Sequence, residues 1–350
     1  MPNTHLNSAR NQSLECWKLA ASVFVVFIHA RFPGATGRLM DCLARFAVPM
    51  FFAISGYFSF RAGCGKTRKR LTHILKLNLI STAGYLLWNC FVAEYGGGGA
   101  WSYLQAAMQS PNMPARWILL HINPFAGHLW YLTAIWFCYL FLFVYIRCQK
   151  NKPADYRPFY CIGLALFVLY LLMDDVLPVF GIEIPFRYYR NGWFLGLPMF
   201  ALGLFLHAFQ EQICAKWNLS AGKLVWLLLA GAALSVLQWW LLKPSETPVG
   251  AYLEVIALLL LSAAHPELDI RSRFGEALIA LAGSLSTMVY ILHPGVITFY
   301  ELFLQQRLQL LFPETEAFLA PVLTVLLSLG AGCLCTVGSR FMKGRNPVNT

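Results

Sequence analysis

Ten blocks of apolar residues, most of them near twenty residues long, succeed one another along this 350-residue chain. They fall at about 14–31, 40–60, 71–93, 117–146, 158–173, 191–209, 224–242, 250–264, 277–300 and 317–339. Such a length matches the ~20 residues an α-helix needs to cross the hydrocarbon layer of a bilayer. In lipid a helix satisfies its own backbone polar groups, so these blocks are expected to be helices. Charged residues are only 12% of the chain, against roughly 25% in a soluble domain, too few to cover a surface facing water. The sequence therefore predicts an all-α, polytopic membrane bundle of about ten transmembrane helices. The membrane domain is expected over 14–340, with tails at 1–13 and 341–350. Block 117–146 is long enough to begin as an interfacial segment, and 250–264 is short for a full crossing.

Lysine and arginine set the orientation. Seventeen lie in the N-terminal tail, the loops after spans two, four, six and eight, and the C-terminal tail; seven lie in the alternate loops. That asymmetry places both termini in the cytoplasm, with the chain multi-pass in the cell's inner (plasma) membrane. The net charge of +11 belongs to cytoplasmic loops and headgroup contact, so no nucleic acid is expected. The run Leu19–Ile28 has no small-x-small cleavage site after it and reads as an uncleaved first span. None of the ten cysteines forms a CxxC pair, which favours apolar packing over a disulfide or metal site, and no metal is expected. Gly96 to Gly99 marks a flexible outer loop, and no GK[ST] follows it.

Burying a charge in a bilayer costs about 2.5–3.5 kcal/mol on insertion scales, so polar residues inside spans carry the functional information. Lys18 and His29 bracket the first span. Eleven residues put them roughly 16 Å apart along the axis and on nearly one helical face. Lys18 alone reads equally as a snorkelling lysine, and His29 as a histidine bonded within the bundle, although imidazole suits proton transfer near neutral pH. Span two carries Asp41 and Arg45 at i, i+4, a structural pair on one face, then Pro49 and Ser55-Gly56-Tyr57. Five cations from Arg61 to Arg70 follow as a loop, suited to headgroups or to bidentate phosphate binding. His128-Leu129-Trp130-Tyr131 opens the core of span four. Span nine holds Tyr290 and His293-Pro294, where a kink would turn a polar group inward. Glu254 is a lone buried acid whose partner is expected to be a cation. Asp174, Asp175 and Glu183 give the outer loop after span five its acidic character.

At these residues the chain resembles the bacterial membrane acyltransferase-3 family, ten-span O-acyltransferases that modify surface carbohydrates. The resemblance runs over about residues 12–340. It rests on a basic residue, ten intervening residues and a histidine in the first span (Lys18 and His29), on the Arg-x-Arg of Arg68-Lys69-Arg70, and on Ser55-Gly56-Tyr57. The stretches around His128-Leu129-Trp130 and Tyr290/His293-Pro294 add to it. The first-span basic residue is Lys where the family commonly has Arg, and Glu15 stands near the place of the family's acidic residue.

The resemblance implies transfer of an acyl group, usually acetyl from acetyl-CoA, to a hydroxyl of a cell-envelope carbohydrate, a lipid-linked glycan or another small acceptor. Arg68 and Arg70 would hold the donor's phosphates at the cytoplasmic side. His29 would act as general base or as a transient acyl carrier. Lys18 would bind the donor or stabilise an oxyanion. Ser55, Tyr57, Trp130, Tyr290 and His293 would line the acceptor's path. The alternative is a transporter of a small anionic or glycan-derived solute, although no inverted repeat or paired broken helices are evident.

Overall fold

The computed structural model describes residues 11–109, 111–149, 155–242, 245–270 and 272–344. The expected tails therefore lie largely outside the described residues. Among those described, the chain is helical with no strand. The order is α1 (Gln12–His29), α2 (Gly34–Ala44), α3 (Ala47–Tyr57), α4 (Cys64–Tyr95), α5 (Ala100–Met108), α6 (Met113–Leu120), α7 (Trp130–Cys148) and α8 (Arg157–Leu171). A π-helical turn, Leu172–Val176, joins α8 to α9 (Leu177–Val179). Another, Gly192–Gly196, leads into α10 (Leu197–Lys216), followed by α11 (Ala221–Leu241), α12 (Val249–Ala264), α13 (Arg273–Phe303), α14 (Gln305–Leu311) and α15 (Glu316–Gly344).

Among the described residues, seven helical stretches are long and apolar enough to cross a membrane: Gly34–Tyr57, Gly127–Cys148, Arg157–Val179, Gly192–Lys216, Ala221–Leu241, Arg273–Phe303 and Glu316–Ser339. This is a multi-pass membrane protein. Of the other expected spans, α12 has 16 residues, while α1 and α4 begin in polar and basic turns. α1 lies against α3 and α13, α3 against α10, α4 against α7, α8 against α10, α11 against α12, and α13 against α15. The first turn of α1 is pinned to the end of α12: Asn11 accepts from the Leu14 N–H and donates to the Ser262 carbonyl, both at 2.9 Å, and the Ser13 hydroxyl meets that of Ser262 at 3.1 Å.

Local chemistry moved several boundaries. The cationic run Lys66–Arg70 is no loop; it forms the opening turns of the 32-residue α4, since Lys and Arg are good helix formers and the Gly63 carbonyl already accepts the Thr67 N–H. Span two is two helices with Arg45 and Phe46 between them, which puts Pro49 in the first turn of α3, where a missing N–H costs nothing. Block 117–146 divides at His121, a left-handed residue. The Asn123 side chain then accepts from the N–H groups of Phe125 and Ala126, capping the entry to α7. Asp174 and Asp175 lie inside the π-helical turn rather than in a loop. Glu254 is buried against a hydroxyl, not a cation: its carboxylate accepts from Ser235 at 3.1 Å.

Without water to expel, helices in lipid associate through close packing of small residues. A Cβ on Gly56 would stand 1.9 Å from the Phe200 carbonyl oxygen, and one on Gly203 would stand 1.9 Å from that of Ala53. α3 and α10 thus meet backbone to backbone. Gly203→Val should lower the thermal stability of the detergent-solubilised protein by about 3 kcal/mol, the cost of overpacking a tight contact. Gly84→Ala, with nothing near its added methyl, should leave the melting temperature unchanged or slightly raised, and both are read in one melting experiment.

Candidate active site

The site is built where α13 breaks its own ladder. Pro294 inside the helix offers no N–H to the Tyr290 carbonyl. The Gly295 N–H donates instead to the Tyr85 hydroxyl at 3.1 Å, which frees the Ile291 carbonyl as well. Side chains fill both positions. His293 Nδ1 donates to the Tyr290 carbonyl at 2.8 Å, while Tyr85 and His128 Nε2 donate to the Ile291 carbonyl at 2.6 and 3.2 Å. A carbonyl only accepts, so those ring nitrogens carry the protons. In the neutral rings this leaves His293 Nε2 and His128 Nδ1 as bare acceptors. His293 is wholly buried, and its Nε2 has no partner among the described residues. The Tyr290 hydroxyl donates to the His128 carbonyl, tying α13 to the start of α7.

His29, the last residue of α1, completes a histidine cluster. Its ring centroid lies 5.0 Å from that of His293, which lies 5.4 Å from that of His128. The His29 side chain is exposed, into a cavity of about 460 Å³ that it lines with Trp130, Tyr131 and Tyr290. Among the described residues no three His, Cys, Asp or Glu side chains are disposed to hold a metal ion.

The far wall of this cavity is ionic. One Glu246 oxygen, Oε2, accepts from Arg190 Nη1 at 2.9 Å and Arg45 Nη1 at 3.2 Å. Arg45 Nη2 also donates to both Asp41 carboxylate oxygens, at 2.9 and 3.1 Å, so the expected i, i+4 pair forms. Asp174 fixes the strand of chain that carries Glu246. It accepts the N–H groups of Glu246 and Thr247 and the hydroxyls of Tyr170 and Tyr189, all within 3.0–3.1 Å. Four donors satisfy a carboxylate that is 5% exposed.

At the other end of α1 lies a cavity of about 610 Å³, lined by Lys18, Glu15, Ser55, Lys66, Arg70 and His73 among others. Lys18 Nζ stands 3.8 Å from Glu15. Arg70 Nη1 donates to the Phe58 carbonyl and the Ser59 hydroxyl, at 3.0 and 2.8 Å. Between the two lies a chamber of about 160 Å³. It shares Lys18, Ser55, His73 and Ile74 with the Lys18-end cavity. It shares Tyr131 and Tyr290, rings 5.3 Å apart, with the His29-end cavity.

The predicted residues sort accordingly. Lys18, Ser55, Arg70, Trp130, Tyr290 and His29 line this series of cavities. His293 stands behind His29 and lines none of the three. Arg68 is exposed on α4, outside the cavities, and its place on the wall is taken by Lys66. Tyr57 turns into the core, donating to Gln210 at 2.7 Å. The sequence did not point to His73, Arg190, Glu246 or the Asp174 hub. Only Asp174 had a signal, an acid next to a second acid at the end of a long apolar block.

Removing the Tyr85 hydroxyl strips a donor from one backbone group and an acceptor from another, so Tyr85→Phe should cost about 1–3 kcal/mol. In a melting experiment the loss should shrink when combined with Pro294→Ala, which gives α13 back its own ladder and makes the pair non-additive.

A scan of protein-family models matches residues 11–339 to an acyltransferase domain. No curated protein and no solved structure matches the chain. With the match spanning nearly the whole length of the chain, this protein belongs to the membrane acyltransferase-3 family.

Proposed function

We propose that this acyltransferase moves an acetyl group from cytoplasmic acetyl-CoA to a hydroxyl of a cell-envelope carbohydrate or lipid-linked glycan, with His29 as the general base. The observation that carries the reading is the series of cavities running from Lys18 and Arg70 to His29 through shared walls. In this reading the helices make ten crossings of the inner membrane with both termini cytoplasmic, so the Lys18 end faces the cytoplasm.

The donor's phosphates sit at the mouth of the Lys18-end cavity against Lys66 and Arg70, with Arg68 outside on the same helix. Arginine suits phosphate through its planar fork of donors. The pantetheine arm passes Lys18 and Ser55 and brings the thioester to the Tyr131–Tyr290 neck. The acceptor hydroxyl enters beside Trp130 from the His29 end. His29 takes its proton, the oxygen attacks the thioester carbonyl, the C–S bond breaks, and the thiolate leaves toward Lys18. His293, its Nδ1 proton committed to the Tyr290 carbonyl, offers Nε2 beside the imidazolium that forms on His29. His29 stands in the acceptor's cavity, which favours direct transfer over an acyl-histidine.

The test uses purified protein in nanodiscs with labelled acetyl-CoA and a pool of envelope glycans. His29→Ala should lower turnover by about 10³-fold, within the range for losing a general base, while acetyl-CoA still binds. Lys66→Ala and Arg70→Lys should raise the KM for acetyl-CoA about tenfold, and Arg68→Ala should raise it less. Full activity in His29→Ala, or solute uptake into vesicles with no acylation, would overturn the assignment.

A further inference from the structure

The wall of the His29-end cavity has a composition that transfer to a neutral hydroxyl does not require. Among the described residues that line it, Arg45, Arg116, Arg187 and Arg190 supply four guanidinium groups, and Glu246 is the one carboxylate.

The four are not equivalent. Arg45 is committed, its Nη2 bonded to Asp41 and its Nη1 to Glu246. Arg190 shares that same Glu246 oxygen, and its guanidinium lies over the Phe186 ring at 4.2 Å and the Trp130 ring at 5.6 Å. It is thus held in one orientation on the cavity wall. Arg187 lies three residues earlier in the short helical turn Phe186–Tyr188, exposed, with its charge over the Tyr188 ring at 5.4 Å. Arg116 comes to the same cavity from α6. Asp41 and Glu246 between them answer Arg45 and Arg190, whereas Arg187 meets no carboxylate among the described residues, so its part of the wall stays cationic. Arginines held flat and pre-oriented are the groups that recognise carboxylate or phosphate through two parallel bonds.

We infer that the acceptor is anionic. It carries a carboxylate or phosphate that docks on Arg187 and Arg190 and so presents its hydroxyl to His29. This rests on the acyl-transfer reading for the hydroxyl, but the anion site itself does not need catalysis. Arg187 and Arg190 are then positioning residues that select among acceptors. An anion on the wall also places negative charge where the ring of His29 must gain a proton, which favours the imidazolium.

Binding and transfer are measured separately, on full-length protein in nanodiscs of zwitterionic lipid. The probes are galactose, galacturonate and galactose 1-phosphate, each offered alone for binding and with labelled acetyl-CoA for transfer. At least one anionic sugar should bind ten times more tightly than galactose and lose that preference as salt rises. The stronger of the two anions identifies the group. Arg187→Gln should reduce the preference about tenfold, and Arg187→Lys, which keeps the charge but not the fork, should keep only part of it, whereas loss of folding would weaken all three sugars together. Equal binding of the neutral and charged sugars would overturn the inference while leaving the role of His29 intact. So would loss of the preference on adding phosphatidylglycerol, which would assign the arginines to a lipid headgroup. Anion binding with no acetyl transfer to any acceptor would spare the anion site and remove the enzymatic reading.

Discussion

The hydrogen-bond ladder that Pro294 interrupts is the joint on which the centre of this molecule depends. A helix in lipid has no water to repair a lost backbone bond, so the two freed carbonyls of α13 must be met by side chains. Tyr85 of α4, His128 ahead of α7 and His293 of α13 meet them, and meeting them fixes which nitrogen of each ring holds a proton. A backbone defect becomes a set of oriented imidazoles. α1 then needs only to end at the right height for His29 to lie against His293, and its pinning to α12 through Asn11 and Ser13 fixes that height.

The far wall of the His29-end cavity shows the same logic with charges in place of carbonyls. Asp174 spends its four hydrogen bonds on chain segments that are far apart in sequence, and none of them is a cation. It orders the short connection before α12, so that Glu246 reaches Arg45 and Arg190 together. Neutral donors satisfy Asp174, and the Glu246 that it positions is met by two arginines, one of them fixed in turn by Asp41.

Much of this was legible in the sequence, and the rest was hidden for physical reasons. Long apolar blocks announce membrane helices because bilayer thickness sets their length, and the spacing of Lys18 and His29 announces one face because helical rise is fixed. The Asp41–Arg45 pair was readable on the same ground. The misreadings came where tertiary partners decide. The cations that open α4 read as a loop by their charge, yet lysine and arginine are content in a helix. Arg68 and Arg70 look equivalent in a motif, but two residues of helical rotation turn one into the cavity and the other away. Glu254 found a serine rather than a cation, and Tyr57 found Gln210. Arg190 and Glu246 are 56 residues apart, and no local pattern links them.

The neck formed by Tyr131 and Tyr290, with Phe51 packed against both, bears on more than the passage of a reactant. A protein hollowed from two ends threatens to short-circuit the membrane that houses it. Aromatic rings packed this close make the joint between the hollows narrow and apolar, the kind of constriction that resists a continuous column of water.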